Sequence, residues 1–304
     1  MFAGSCFAEN IGEIMQLYRF DVEINPHGVL FNPASIAVAL QRYIDNKAMQ
    51  ENELFFANEC WNSWEHHSRF SNVDKQTCLT KINSGISSAH EFIKDGEWLF
   101  ITFGSAHVYK KNSTGALVGN CHKIPQKEFS KRMLSVSEIV DDYTTLLEQL
   151  KTLNSKLKIV FTISPVRYTG DGVVENNLSK ARLIEAVHKL VLFQSNSFYF
   201  PAYELVIDDL RDYRFFKTDL VHPNEQAIAY VFEKLISTAF DDETKILFEK
   251  IKEIITASIH RPFNTNTESY RKFKTVYSER CKQLQKEFSF LDLEGLAAGF
   301  ENDY

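Results

Sequence analysis

Asp219-Leu220-Val221-His222, followed at once by Pro223, can supply a proton acceptor and its orienting partner from one loop, and Ser5 can supply the nucleophile that such a pair activates. A serine hydroxyl is a weak nucleophile until a base within hydrogen-bond reach takes its proton. Imidazole is the usual base. An aspartate beside it holds the useful tautomer and steadies the charged ring. Each part also has an ordinary structural explanation: serine is a good helix N-cap, and a lone Asp-x-x-His is most often a turn. More than two hundred residues separate Ser5 from His222, so the chemistry requires a fold that brings the two ends together.

Other polar residues invite competing chemistry. Cys6 follows Ser5, and a thiol at a helix start can be activated. Neighbouring residues point apart, however, so Cys6 is expected to face the packing beneath the helix. His66, His67 and His122 show no metal-type spacing, and no metal site or cofactor is expected. Trp61, Trp64 and His67, on a long aperiodic stretch, are suited to walling a pocket. The five cysteines (Cys6, Cys60, Cys78, Cys121 and Cys281) are odd in number and include no CxxC pair, which argues for free thiols.

The elements that must position these groups follow from periodicity. Apolar residues recur at helical spacing over 6–18, strand character is expected over 18–24, and Asn32-Pro33 opens a helix through Tyr43. Residues 46–76 have no clear period and are expected to form a long excursion, followed by a helix over 77–93. The runs 97–103 and 157–163 suit buried strands that stop at Gly104 and Ser164. Residues 108–110 and 116–118 suit a hairpin, and Ser135-Val136-Ser137-Glu138 is a capping box for a helix to Leu153. A helix over 179–194, a strand over 198–200 and a helix over 224–240 complete a strand–helix alternation. The pattern predicts an α/β fold with a doubly wound, flavodoxin-like, mostly parallel sheet. Catalytic groups in such a fold collect at the carboxyl ends of the strands.

The block Gly4-Ser5-Cys6-Phe7-Ala8, read with Asp219 to Pro223, resembles the GSCFA family, a branch of the SGNH (GDSL-like) hydrolases. Four further blocks stand in order: Asn25-Pro26-His27-Gly28 with Asn32-Pro33, Ser63 to Ser68, Asn120 to Pro125, and Ile163 to Arg167. The resemblance implies an SGNH-type sheet, no cofactor, and a serine esterase with Ser5 as nucleophile, His222 as base and Asp219 as its partner. By the same resemblance Gly28 and Asn120 are expected to join Ser5 in the oxyanion hole, and Trp64, His67 and His122 to bind substrate. The substrate implied is a small-molecule or glycan ester, such as an O-acylated carbohydrate. Two features favour a non-catalytic binding or scaffold protein instead. The usual Gly-x-Asn-Asp block is replaced by Gly104-Ser105-Ala106-His107, and only Met1, Phe2 and Ala3 precede Gly4, a shorter lead-in than the family usually carries.

Residues 1–240 are expected to form the SGNH-like domain, with the excursion at 46–76, and 241–304 a helical extension packed on it. The formal charge is −6 and no basic stripe stands out, so no nucleic-acid partner is expected. No apolar run is long enough to span a membrane, and no export signal opens the chain. The expected compartment is the cytoplasm, although a processed exported form would look the same. Composition is silent on oligomeric state.

Overall fold

Mostly apolar runs that stop at a glycine, serine or proline become the parallel strands, and the 3.6-residue patterns become the helices that cover them. A computed structural model describes residues 1–301. In chain order the elements are β1 (Phe2–Gly4), α1 (Cys6–Leu17), α2 (Pro33–Ile44), β2 (Leu54–Ala57), β3 (Cys60–Ser63), α3 (Lys75–Asp95), β4 (Trp98–Phe103), β5 (His107–Lys111), β6 (Leu117–Val118), β7 (Phe129–Met133), α4 (Val136–Leu153), β8 (Lys158–Ile163), α5 (Val173–Phe193), β9 (Ser197–Phe200), the short α6 (Ala202–Glu204), α7 (Glu225–Ala239), α8 (Asp242–Ser258), α9 (Glu268–Glu287) and α10 (Glu294–Glu301). The fold is mixed α/β.

The main sheet is parallel, in the order β1-β4-β8-β9. Leu99 pairs with Ile159 and Phe103 with Ile163, so the inward residues of β4 and β8 fall on the same face. Leu99, Ile101, Phe103, Phe161 and Ile163 join Leu40, Ile82, Tyr143 and Leu183 of the helices in one buried cluster. On the other face Phe2 stacks on Phe100 at 4.6 Å. Asn32 caps α2 by accepting the Ser35 N–H, and Ser135 with Glu138 closes the expected capping box on α4.

Four expectations change. Residues 18–24 form no strand. Only Ile24 bridges Phe2 in parallel, with the Phe2 N–H donating to Glu23 O at 2.8 Å and the Asn25 N–H to Phe2 O at 2.9 Å. The 46–76 excursion is not structureless: β2 and β3 form an antiparallel hairpin turned by Asn58 and Glu59, both at positive φ (50° and 61°). Glutamate at the second left-handed position hides that turn from a search for Asn-Gly. β7, which carries Lys131 and Arg132, joins β5 and β6 in a three-stranded antiparallel sheet. Finally, α5 starts at Val173, six residues before the expected start at Ser179.

By internal contacts the chain divides into two compact units. One contains Met1–Glu13 with Val22–Phe232, and the other Ile14–Asp21 with the described residues from Glu233 on. In the second unit Ile254, Cys281, Leu284 and Leu293 form a helical core, and Tyr18 lies edge-on to Phe248 at 4.7 Å. Among the described residues no helix is long and apolar enough to cross a membrane.

Candidate functional site

Ser5 sits where β1 turns into α1. Gly4, at φ 138°, permits that turn: a Cβ there would lie 2.2 Å from Thr102 O, so no larger residue fits against β4. The Gly4 N–H is held by Asn25 Oδ1 at 2.8 Å and the Ser5 N–H by Thr102 O at 3.2 Å. Ser5 O accepts the Ala8 N–H and begins the helix. The Ser5 hydroxyl does not cap it. Ser5 is buried, and its Oγ has no hydrogen-bond partner among the described residues.

His222 is oriented by its own loop. Its Nδ1–H donates to Asp219 Oδ2 at 2.7 Å, which leaves Nε2 as the nitrogen available for a proton. Asp219 Oδ1 accepts the Val221 and His222 N–H groups at 2.8 and 3.0 Å. These backbone bonds, and then the imidazole, hold the Asp219 carboxyl down at about 2, so it stays ionised. The loop closes through Leu220, a non-glycine residue in the left-handed region at φ 59°. Arg167 braces it from the β8 side: its N–H donates to Val221 O at 3.2 Å, and its guanidinium lies over the Tyr213 and Phe216 rings at 5.0 and 4.4 Å.

Ser5 and His222 line the same cavity, of about 210 Å³, together with Cys6, Phe31, Gly104, Ser105, Ser164, Val166, Arg167, Tyr168 and Val221. Because Ser5 Oγ is unpartnered, it makes no hydrogen bond to His222. Cys6 shares the cavity rather than facing away from it. Burial is the main influence on its thiol and pushes its pKa up, so it is held protonated. Gly104 and Ser164, expected at the ends of buried strands, line the cavity at the ends of β4 and β8, and Ser105 joins them. Their signal was their position just past a buried strand. Phe31 has no sequence signal: it is drawn in because its carbonyl accepts the Gly104 and Ser105 N–H groups at 2.8 and 2.9 Å.

The remaining site residues expected from the sequence lie outside this lining. The Gly28 N–H donates to Asn25 O at 2.6 Å, and a Cβ at Gly28 would meet His67 Cβ at 2.3 Å. This glycine therefore makes room for His67. Asn120 Oδ1 accepts the His122 N–H at 2.8 Å, fixing a turn in which His122 and Lys123 both have positive φ. Trp64 stacks on Phe55 at 3.7 Å, and His122 donates from Nε2 to Ser63 O at 2.8 Å. These residues surround a second buried group. His27 and His66 stack at 3.9 Å, His27 Nδ1 bonds the Tyr43 hydroxyl at 2.6 Å, and His66 Nδ1 bonds Ser63 Oγ at 2.9 Å. Burial, followed by Arg42, pulls His27 down to about 3, and burial also holds His66 well below its ordinary value. Stacked rings aim their lone pairs in parallel and so cannot converge on one ion. Among the described residues no group of three or more His, Cys, Asp or Glu side chains is arranged to hold a metal.

A parallel sheet with a serine at the end of its first strand, facing a carboxylate-oriented histidine across a cavity, defines an α/β protein with a site at its strand ends. Residues 1–235 match the GSCFA family, and residues 251–303 match the GSCFA domain protein, C-terminal domain. The chain belongs to the GSCFA family. No curated protein and no solved structure matches it.

Proposed function

We propose that this protein is a serine acyl hydrolase of the SGNH type that cleaves an ester by acyl transfer. Ser5 Oγ attacks the acyl carbon, His222 Nε2 takes the serine proton and returns it to the leaving alcohol, and Asp219 keeps the ring oriented. Water then releases the acyl group, with the same histidine as base. The observation that carries this reading is the shared cavity: a buried, unpartnered Ser5 hydroxyl and an aspartate-oriented His222 line it from opposite ends of the chain. Catalytic hydrogen bonds are often long in the free enzyme and tighten around substrate, so the open Ser5–His222 pair is compatible with turnover.

The sheet order supports the doubly wound assignment. Ile24 bridges β1 on the side away from β4, so the chain steps to one side of β1 and then returns to the other. In open sheets a ligand sits outside the strand ends at that reversal, and Ser5 and Gly104 lie there. The N–H groups of Ser5, Gly28, Gly104 and Ser105 all have backbone acceptors. In this reading the developing oxyanion is therefore met by the positive dipole end of α1, which begins at Cys6. The cavity of about 210 Å³, walled partly by Phe31, Val166 and Val221, suits a short acyl group. An O-acylated carbohydrate as the substrate rests on the family resemblance.

Labelling by a fluorophosphonate probe, with release of p-nitrophenol from p-nitrophenyl acetate, tests the proposal. Both are expected, with the probe on the Ser5 peptide. The occupied N–H groups and the position of Asn120 favour one other reading, a binding protein that keeps the fold without turnover. In that case neither reagent reacts.

A further inference from the structure

Lys180 is buried, only 2 % exposed, directly beneath the cavity. It lies on α5 beside Ser179, whose Oγ accepts the Ala106 N–H at 2.7 Å. Its Nζ donates to Gly104 O and to Ser164 O, each at 2.6 Å. These carbonyls end β4 and β8, and both residues line the cavity that holds Ser5 and His222. Two carbonyls on one nitrogen at that distance suit a charged donor. No carboxylate is paired with Lys180 among the described residues, so the charge is placed against a considerable desolvation cost. A neutral strut could tie two carbonyls without that cost.

We propose that Lys180 is a positioning residue of this site: its buried ammonium locks the ends of β4 and β8 into the cavity floor and sets a positive potential beneath the point where negative charge grows on the substrate. This rests on the acyl-transfer reading above and deepens it, because it supplies fixed positive charge where the Gly-x-Asn-Asp asparagine is missing. Preorganised charge aimed at the developing oxyanion is among the largest contributions available to acyl transfer. Two groups face the ammonium from the elements around it. Cys6 of α1 favours the charged form when it is a thiolate, and the Tyr203 ring of α6 lies 5.8 Å from Nζ. Burial is the larger influence and pulls the lysine down to about 7, so its charge fades as the pH rises above neutrality. Below neutrality, where the lysine is charged, Cys6 reports the same potential, since Lys180 favours its thiolate against the effect of burial.

The test compares Lys180→Met and Lys180→Arg with the unmodified protein, each first shown to fold by its thermal transition. Turnover of p-nitrophenyl acetate is measured, and the rate of Cys6 alkylation by iodoacetamide at pH 6, where the lysine is charged, is followed from the mass of its peptide. In Lys180→Met, kcat falls about tenfold or more while KM stays within about threefold, because the charge acts on the transition state. Cys6 alkylation at pH 6 slows, because the small thiolate fraction loses its positive neighbour. Lys180→Arg keeps the charge and recovers both readouts. If Lys180→Met does not fold, Lys180→Gln, which keeps N–H donors without charge, carries the same comparison. An unchanged Cys6 alkylation rate at pH 6, an unchanged kcat, or a folded Lys180→Arg as impaired as Lys180→Met overturns the proposal. If the unmodified protein hydrolyses no ester and takes no fluorophosphonate, the acyl-transfer reading fails while the Cys6 measurement still decides whether Lys180 charges the cavity.

Discussion

Among the described residues two places hold histidines with an unpartnered ring nitrogen or a free edge, and they differ in partner and in access. At the strand ends His222 is about half exposed, bonded to a carboxylate, and opens onto a cavity shared with Ser5. Beneath the β2–β3 hairpin, His27, His66 and His122 are buried, bonded to a hydroxyl or a carbonyl, and line no part of that cavity. A carboxylate partner fixes which ring nitrogen carries the hydrogen and leaves the other directed away from it. Burial against neutral groups favours the neutral ring and turns histidine into a polar core residue. The distinction lies in the partner and the access rather than in the residue type.

The comparison can be broken most directly at Ser5. Ser5→Ala is expected to lower ester turnover by about 10³-fold or more, since it removes the nucleophile itself. Because Oγ caps nothing and bonds nothing, the thermal midpoint should stay where it is. An active Ser5→Ala, with activity lost instead in Cys6→Ala, would move the chemistry to the thiol. Asp219→Ala comes next, with kcat reduced by about 10²-fold or more as His222 loses its orientation. Since the Asp219 carboxyl is held at about 2, it remains ionised through mildly acid solution. Loss of activity between pH 6 and pH 4 would therefore have to come from another group.

The histidines under the hairpin should reveal themselves in stability rather than in rate. His27 has its folded-state pKa near 3, below its ordinary 6.5, so between those values it takes up a proton only on unfolding. Stability present at neutral pH is then lost as the pH falls below about 6.5, at up to about 1.4 kcal/mol per pH unit for each such ring. Urea unfolding of His27→Gln should show a shallower decline with acidification than the unmodified protein. An identical slope would mean that the ring is not buried neutral. The smallest effect is expected at Asn120. With its Oδ1 on the His122 N–H, Asn120→Ala should leave kcat within about threefold and cost about 1 kcal/mol of stability. A hundredfold fall in kcat would return it to the oxyanion hole.

Much of this was legible in the sequence. β4 and β8 declared themselves as mostly apolar runs, and α2 and α4 by their caps. The Asp219–His222 pair was readable because both partners lie in one short loop. The hydrogen bonding of Gly28 and Asn120 was not, because sequence gives order along the chain but not which N–H group already has an acceptor. Gly28 looked like a glycine that admits a ligand and proves to admit the His67 side chain. Lys180 and Phe31 were invisible for a related reason: one acts through two distant carbonyls, and the other contributes only its backbone oxygen.

Leu220 carries a consequence for anyone seeking a hardier version of this protein. A left-handed leucine costs roughly 1–2 kcal/mol relative to a relaxed backbone, and glycine at that position would recover part of it. Redesign guided by stability alone would therefore be drawn to residue 220. It is also the link between Asp219 and His222, where the added backbone freedom would blur the angle at which one presents the other. The position most attractive to an engineer of thermal robustness is thus one where robustness and aim pull in opposite directions.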